Sequence, residues 1–428
     1  MNTAFTAFDM VAIDLSSRPG LELLSAVEER VGANIARAAK YPQKLFLLRS
    51  SRAPGLRFVG GQARPDVVAP LLEGEPAFSL AGASENLEEA FAACVGECVE
   101  RLSQIEREGD VQVTALRAEV GDVVMTSLST VLDDVERQQG GSTARPIDWV
   151  HARCLSTNKP VLLPADWCLR RPRQRMALRP RTALSTGVAA GATIEGASVR
   201  ALLEVVERDA ASLWWNGGRR GRPLAFEHPG MGEAVRLLET LRQNTHGRAS
   251  WLLDLTTDLE IPVVAAISFD TDGRQFACGL AARLDITDAI RAAILEMCQM
   301  ELALLIAMAK QEQAGQYTMS DVDQQHIHRA DTIDASICAL VHPLGAPSNL
   351  RRDVPRSDLE QVKAVFQRRR IEAALLDLTR SEMAIPVVCA VVPELEPVPS
   401  FTRPTTRLRS TTEEWGGGLP WTQGVPLL

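Results

Sequence analysis

Three stretches of this 428-residue chain each set acidic or amide side chains one helical turn apart, and that recurrence constrains the fold more than any other feature. They read Gly96-Glu97-Cys98-Val99-Glu100-Arg101, Leu203-Glu204-Val205-Val206-Glu207-Arg208-Asp209 and Leu295-Glu296-Met297-Cys298-Gln299. In a helix, residues three or four apart share a face, so each segment aims two carboxyl or amide groups the same way. Like charges at that spacing repel by ~0.2–0.5 kcal/mol even when solvated. The flanking residues are Ala, Leu, Val and Cys, which calls for burial of part of that face, where unpaired charge costs far more. A hard cation held by oxygen ligands offsets the cost, and Mg2+ carried on a nucleotide fits. One E-x-x-E-R is ordinarily an i,i+4 surface ion pair; its recurrence in Ala-rich helices argues against that reading.

Composition narrows the class. A hydrophobic fraction of 46% with 23% charged residues is that of a soluble globular protein. The length suits two or three ordinary domains or one large one. A net charge of −8 argues against a general nucleic-acid or anionic-membrane binder. Met1-Asn2-Thr3-Ala4-Phe5 has no basic n-region, and no apolar stretch reads as long enough to span a bilayer, so a cytoplasmic location is expected. The eight cysteines form no C-x-x-C pair, which predicts reduced, buried, small hydrophobes. A zinc site would need clustered ligands, and only His326-Ile327-His328 comes close.

Two internal similarities suggest duplication. Asn86–Ser103 and Thr193–Ala210 are Ala-rich amphipathic patterns carrying E-x-x-E-R, with Asn86 and Thr193 as the expected N-caps. Leu252-Leu253-Asp254-Leu255-Thr256 leading to Ile261-Pro262-Val263-Val264 is echoed by Leu375-Leu376-Asp377-Leu378-Thr379 leading to Ile385-Pro386-Val387-Val388. Each reads as a strand, a polar turn and a second β-branched strand opening at Pro. The expected fold is therefore α+β, with duplicated, pseudo-symmetric helices packed on mostly antiparallel sheet. Strands are also predicted at Ile147–Val150 and Pro160–Leu163 around a turn at Asn158, and at Phe276–Ala282 before a helix from about Thr287 to Lys310. The arginines at 170, 171, 173, 175, 179 and 181 fall in a Pro-punctuated loop, either solvated or a lid over an anionic ligand. Ser185-Thr186-Gly187 with Ala189-Ala190-Gly191 is a tight turn whose N–H groups could also meet a phosphate. No P-loop, dinucleotide fingerprint or nucleophile elbow occurs.

With these motifs in order, the chain resembles the YcaO family, whose members bind ATP through helices bearing E-x-x-E-R, E-x-x-E-R and E-x-x-Q. The likeness is carried by FSLAGASENLEEAFAACVGECVERLS, STGVAAGATIEGASVRALLEVVERDAASLWW and GLAARLDITDAIRAAILEMCQ, with LLDLTTDLEIPVVAA and PVVCAVVPELEP as strand segments. It extends over roughly Phe78 to Arg409 and implies three parts: residues 1–75 of uncertain role, a YcaO-like ATP-binding catalytic domain at 76–410, and a flexible C-terminal tail at 411–428. By resemblance, Glu97, Glu100, Glu204 and Glu207 would bind the Mg2+ ions bridging the ATP phosphates, with Glu296 among the metal-binding carboxylates and Gln299 beside it. Arg208 would contact phosphate and Arg101 would support the first carboxylate pair.

The implied activity is ATP-dependent modification of backbone amides in a ribosomally synthesised precursor peptide, by O-phosphorylation of the amide. Azoline-forming cyclodehydration comes first. Thioamide formation with a sulfur-delivery, TfuA-like partner is the alternative, and a non-catalytic YcaO-like scaffold is the rival from another class. The implied partners are the peptide and a leader-binding or sulfur-delivery protein, with a homodimer as an assembly to test and neither nucleic acid nor membrane. The chain departs from the family pattern at Gly82-Ala83-Ser84, where Gly-Lys-Gly is common. At Ala292, an arginine would be expected four residues before Glu296. The C-terminus lacks the Pro-x-Pro-x-Pro tail of azoline-forming members.

Overall fold

The computed structural model describes residues 8–69, 76–138, 145–225, 229–314, 319–347 and 357–428. Met1–Phe5, read above for a targeting segment, lie outside the described residues. The first sheet holds β1 (Phe8–Ala12), β2 (Lys44–Ser50), β3 (Arg57–Ala63) and β4 (Phe78–Ser84) in that order. Helices α1 (Arg18–Arg30) and α2 (Ala33–Ala38) fall between its first two strands, and α3 (Leu87–Ser103) follows its last. A second, six-stranded sheet draws on both halves of the chain. Its path is β5 (Val113–Ala115), β6 (Ile147–Cys154), β12 (Ala374–Asp377), β13 (Val387–Val391) and β8 (Val188–Ala190), with β7 (Pro160–Pro164) paired on β6. Helices α4 (Arg117–Val120), α5 (Thr126–Gln138), α6 (Ala165–Cys168), α7 (Ile194–Trp215) and α8 (Pro229–Arg242) lie along this part of the chain. A third sheet, in the order β11 (Ala277–Ala282), β10 (Val263–Asp270), β9 (Arg248–Asp254), precedes α9 (Ile286–Ala314), α10 (Asp321–Thr332) and α11 (Asp358–Arg369). The chain closes with α12 (Thr406–Trp415) and α13 (Leu419–Thr422).

Every ladder between the named strands is antiparallel, as the α+β reading expected. The strand duplication is reproduced down to its turns. Asp254 Oδ1 accepts the Thr256 N–H and Asp377 Oδ1 accepts the Thr379 N–H, both at 2.8 Å. Thr256 and Thr379 then accept, through their hydroxyls, the N–H groups of Val263 and Val387, both at 3.1 Å. The two Asp-x-Thr turns thus hold each strand to its Pro-led partner by the same side-chain bonds. Asn86 caps α3 and Thr193 caps α7, as their positions implied.

Glycines bring the motif helices down onto their strands. A Cβ at Gly82 would lie 2.1 Å from the Ala90 carbonyl oxygen, and one at Gly279 would lie 2.2 Å from that of Ala293. Such closeness lets a helix carboxylate reach a strand N–H.

Several expectations differ from the structure. The boundary drawn at residue 75 falls inside one sheet, because β3 pairs with β4 from Arg57↔Ser84 to Ala63↔Phe78. The tail at 411–428, expected to be flexible, is packed: it carries the end of α12 and all of α13. Val425 and Leu427 are buried, and Trp215 Nε1 donates to the Val425 carbonyl at 2.7 Å. The glycines read as mobility instead turn the chain, with Gly416 and Gly417 at φ 82° and 77°.

Helix α9 is long and apolar enough to cross a membrane by length and composition, contrary to the reading that no stretch is, yet half of its most apolar window is buried inside the protein. Its buried Glu301 is held by Arg242 (Nη2–Oε1 2.7 Å) and Arg248 (Nε–Oε1 3.1 Å), as in a core helix. All eight cysteines are free thiols, six of them buried.

The arginine-rich loop is solvated only in part: Arg173, Arg175 and Arg179 are exposed, whereas Arg171 and Arg181 are buried. Arg171 is wholly buried between Asp166 (2.9 Å), Glu106 (3.1 Å) and Asp148. Asp166 in turn accepts the N–H groups of Ala177 and Leu178, both at 2.8 Å. Arg181 donates to the carbonyls of Val392 (3.2 Å) and Leu395 (2.6 Å). Buried polar groups tie this loop to the framework.

Candidate active site

Each motif carboxylate accepts a backbone N–H, and the pattern explains the spacing. The first glutamate of each motif reaches a strand or turn just upstream of its own helix. Glu97 accepts from Ala81 at 2.7 Å, Glu204 from Gly187 at 3.2 Å and Glu296 from Leu280 at 2.9 Å. The second glutamate, one turn on, reaches the next unit. Glu100 of α3 accepts from Ala190 of β8 at 2.7 Å, and Glu207 of α7 accepts from Ala282 of β11 at 3.1 Å. E-x-x-E therefore stitches helix to neighbouring sheet through one oxygen of each carboxylate, while the second oxygen of Glu97 meets Arg101 and those of Glu204 and Glu207 face Arg208 at 3.4 and 3.6 Å. The Gly187 and Ala190 amides, considered above for phosphate, serve these carboxylates instead.

One large cavity of about 1130 Å3 lies where the three helices meet, lined by Glu100, Glu204, Glu207, Arg208, Glu296 and Gln299. It exceeds the ~300–1,000 Å3 of ordinary small-molecule pockets. Glu97 and Arg101 do not line it. Glu97 receives the Arg101 Nε at 3.0 Å, and the Arg101 guanidinium lies 6.0 Å from the Phe78 ring centre. Glu97 stands close enough to act on Glu100 electrostatically.

Burial, reinforced by Glu97 and Glu204, pushes the Glu100 carboxyl up to about 8. Burial raises Glu204 to about 7, with Arg208 opposing and Glu207 adding. Glu296 rises to about 7, again from burial and then the Glu207 charge, and burial raises Glu207 as well. Burial alone would weaken the Arg208 charge, but Glu207, Glu204 and Glu296 together hold the guanidinium firmly protonated.

The sequence left other cavity residues unnamed. Arg200 and Arg283 line the wall, with Nη1 donating to Ala190 O at 3.3 Å and to Ala282 O at 2.7 Å respectively. Arg200 precedes Glu204 by four residues, the spacing that Ala292 breaks before Glu296, so this one was within reach of the helical pattern. Arg291 also lines the cavity but is ion-paired with Glu85. Ala83 and Ala292 form part of the wall and leave it open. His326, of the H-x-H pair, faces a different cavity.

The donor set fits a nucleotide with its cation. The lining carboxylates are hard oxygen donors. Arg208 Nη1 is buried with no hydrogen-bond partner, so a phosphate oxygen would satisfy it. Among the described residues no three acidic, imidazole or thiol groups are disposed to hold a metal by themselves. Mg2+ commonly takes one or two protein carboxylates and completes its shell with water and substrate phosphates.

Raised carboxyl pKa values carry a sign for stability. The folded protein binds these protons more tightly than the unfolded chain, whose carboxyls titrate near 4.5. Their contribution is complete below that value and is lost as pH rises through about 7 to 8. Unliganded protein should therefore melt at lower temperature at pH 8.5 than at pH 6, and Glu100→Gln, a neutral isostere, should shrink that difference. A melting temperature that climbs over this range, by calorimetry without Mg2+ or nucleotide, would contradict the site's electrostatics.

Antiparallel sheets bearing three acidic helices around an arginine-lined cavity define a nucleotide- and divalent-cation-dependent class of protein. Residues 81–396 match the family model described as YcaO cyclodehydratase, ATP- and Mg2+-binding. The chain belongs to the YcaO family, whose cofactors are ATP and Mg2+. An uncharacterised protein of Methanothermobacter thermautotrophicus is 27% identical over 341 residues, 77% of this chain and 84% of that one.

Among solved structures, a heterocyclase in complex with substrate and cofactor superposes with a TM-score of 0.65 at 22% identity, covering 86% of this chain and 53% of that one. YcaO from Methanopyrus kandleri bound with AMPPCP and Mg2+ gives 0.57 at 19% identity over 88% and 91% of the two chains. The Escherichia coli microcin synthetase McbBCD complex with pro-MccB17 bound gives 0.61 at 13% identity over 83% and 89%. At these identities the likeness is one of fold. The chain spans about half the length of the first heterocyclase.

Proposed function

We propose that this protein activates backbone amides of a ribosomally made peptide with ATP, forming azoline rings by cyclodehydration. The observation that carries the reading is the convergence of Glu100, Glu204, Glu207, Glu296 and Gln299 with Arg208 on one cavity. Structural neighbours named as a heterocyclase with substrate and cofactor, and as a microcin synthetase with its precursor, support a peptide as substrate.

ATP supplies the phosphoryl group that turns an amide oxygen into a leaving group, and Mg2+ screens the charge that develops. The protein's part is to position and neutralise. Glu100, Glu204, Glu207 and Glu296 would hold the cations through the oxygen that their backbone N–H bond leaves, each fixed in orientation by that bond. Arg208 would take a phosphate oxygen on Nη1, and Arg200 and Arg283 would line the approach. The peptide's own Cys, Ser or Thr side chain adds to the preceding carbonyl carbon. The side chain's S–H or O–H proton and the amide N–H proton would both be lost, the former carbonyl oxygen would take the phosphoryl group from ATP, leaving ADP, and its departure as phosphate would leave a C=N bond. Among the described lining residues of this cavity there is no cysteine to act as a nucleophile.

Thioamide formation uses the same activation with external sulfide as nucleophile and a TfuA-like partner. A non-catalytic scaffold is favoured by Ala83 and Ala292 in the cavity wall, and Arg200, Arg208 and Arg283 weigh against it. Mass spectrometry of a candidate precursor incubated with the protein, a leader-binding partner and Mg2+·ATP separates these readings. Loss of one water per ring is expected; an oxygen-to-sulfur mass gain would give the thioamide branch. Unmodified peptide with no ADP formed would overturn both.

A further inference from the structure

A second, smaller cavity of about 270 Å3 shares Glu204, Arg208 and Glu296 with the first. It is closed by Ser185 of the turn before β8, Met300 of α9, His326 and Arg329 of α10, and Val398 and Pro399. The two cavities are therefore neighbours that share two carboxylates and a guanidinium as common wall. A transferred phosphoryl group is attacked in line, with the attacking and leaving oxygens on opposite sides. Whatever accepts it must approach from a side the nucleotide does not fill.

The chemistry of this second wall is that of an uncharged ligand. Met300, Val398 and Pro399 give it an apolar lining. Its charged side chain outside the shared trio, Arg329, is engaged: Nη2 donates to His326 Nδ1 at 2.8 Å and Nη1 to the Pro426 carbonyl at 3.3 Å. A guanidinium can only donate, so His326 Nδ1 must accept, and the imidazole is neutral with its proton on Nε2. Burial and the Arg329 charge lower its pKa to about 4 and keep it neutral. Nε2 has no partner among the described residues, which leaves one fixed N–H donor on the cavity wall. A peptide carbonyl is the matching acceptor. The volume falls below the range for drug-sized ligands and suits one or two residues of peptide.

We propose that this second cavity is the acceptor subsite, which takes a short uncharged stretch of substrate peptide and delivers its carbonyl oxygen toward Glu204, Arg208 and Glu296, with His326 Nε2–H as a binding donor. The assignment rests on the amide-activation reading above and adds where the amide is held.

The test uses the full chain with Mg2+·AMPPCP and acetyl-Gly-Cys-Gly-amide at millimolar concentration as the probe. Peptide titration is followed by hydrogen exchange at residues 183–186 and 319–332. Met300→Trp fills the cavity and His326→Ala removes the donor; each should weaken peptide binding by about tenfold or more while AMPPCP affinity changes by less than about twofold. His326→Gln, which keeps an N–H donor, should recover most of the loss. Peptide affinity unchanged in Met300→Trp, or no peptide-dependent protection in those segments of the unsubstituted protein, overturns the subsite. Failure of the unsubstituted protein to bind Mg2+·AMPPCP overturns the parent reading instead, a result visible before any peptide is added.

Discussion

Replacement of Glu204 by Gln is expected to lower ADP formation by about 100-fold or more, the scale seen when one preorganised electrostatic contact to a developing charge is removed. Glu204 is the residue on which the site's geometry concentrates. It lines both cavities, accepts the Gly187 N–H and is contacted by Arg208 at 3.4 Å. Glutamine keeps the volume and can still accept that N–H, but it cannot supply a charged oxygen to Mg2+. The loss would not come from unfolding. The unliganded Glu204 carboxyl already sits at about 7 through burial, so the neutral amide resembles a protonation state that the folded protein accommodates. Steady-state ADP release beside thermal melting of the same preparation tests the claim. Turnover within about threefold of the unsubstituted protein would remove Glu204 from the cation site.

Arg407→Ala is expected to cost about 3–5 kcal/mol of stability, the range for removing one partner of a buried ion pair. Asp209 follows Arg208 on α7 and is completely buried. Its carboxylate accepts Arg407 Nη2 at 3.0 Å and the Glu396 N–H at 2.9 Å, and Arg407 also reaches Asp258 at 2.6 Å. Burial pushes the Asp209 carboxyl up and Arg407 pulls it back, so without Arg407 a desolvated charge stands alone. The lost bond joins the helix of the second motif to α12 near the chain end. Urea unfolding measures the effect, and Asp209→Asn in the same background should restore part of it. A change below about 1 kcal/mol would mean that the pair is solvated in solution.

What the sequence disclosed and what it hid divide along the range of the interaction involved. The three motif helices, the Asn86 and Thr193 caps and the Asp-x-Thr turns were legible because each is set by residues a few positions apart. Glu204 and Glu207 share a face by spacing alone, and Asp254 and Asp377 signal their turns within two residues. The destination of each second glutamate was not legible. Nothing local to Glu100 says that Ala190 will supply its N–H, or that Ala282 will supply that of Glu207. Arg171 misled because a run of arginines and prolines looks the same whether solvated or folded around a buried aspartate, and Asp166 with Glu106 decides between the two. The C-terminal segment misled in the same way. Its glycines signal turns, while the apolar residues that bury it, Val425 and Leu427, are too few to show a period.

We propose that acidic side chains from α3, α7 and α9 surround one set of divalent ions. Anomalous diffraction from crystals grown with Mn2+ and AMPPCP tests it most directly. Metal peaks are expected bonded to oxygens of Glu100, Glu204, Glu207 or Glu296 and to the nucleotide phosphates, with Arg208 on a phosphate oxygen. Metal bound elsewhere, or a nucleotide whose phosphates lie outside this cavity, would contradict it.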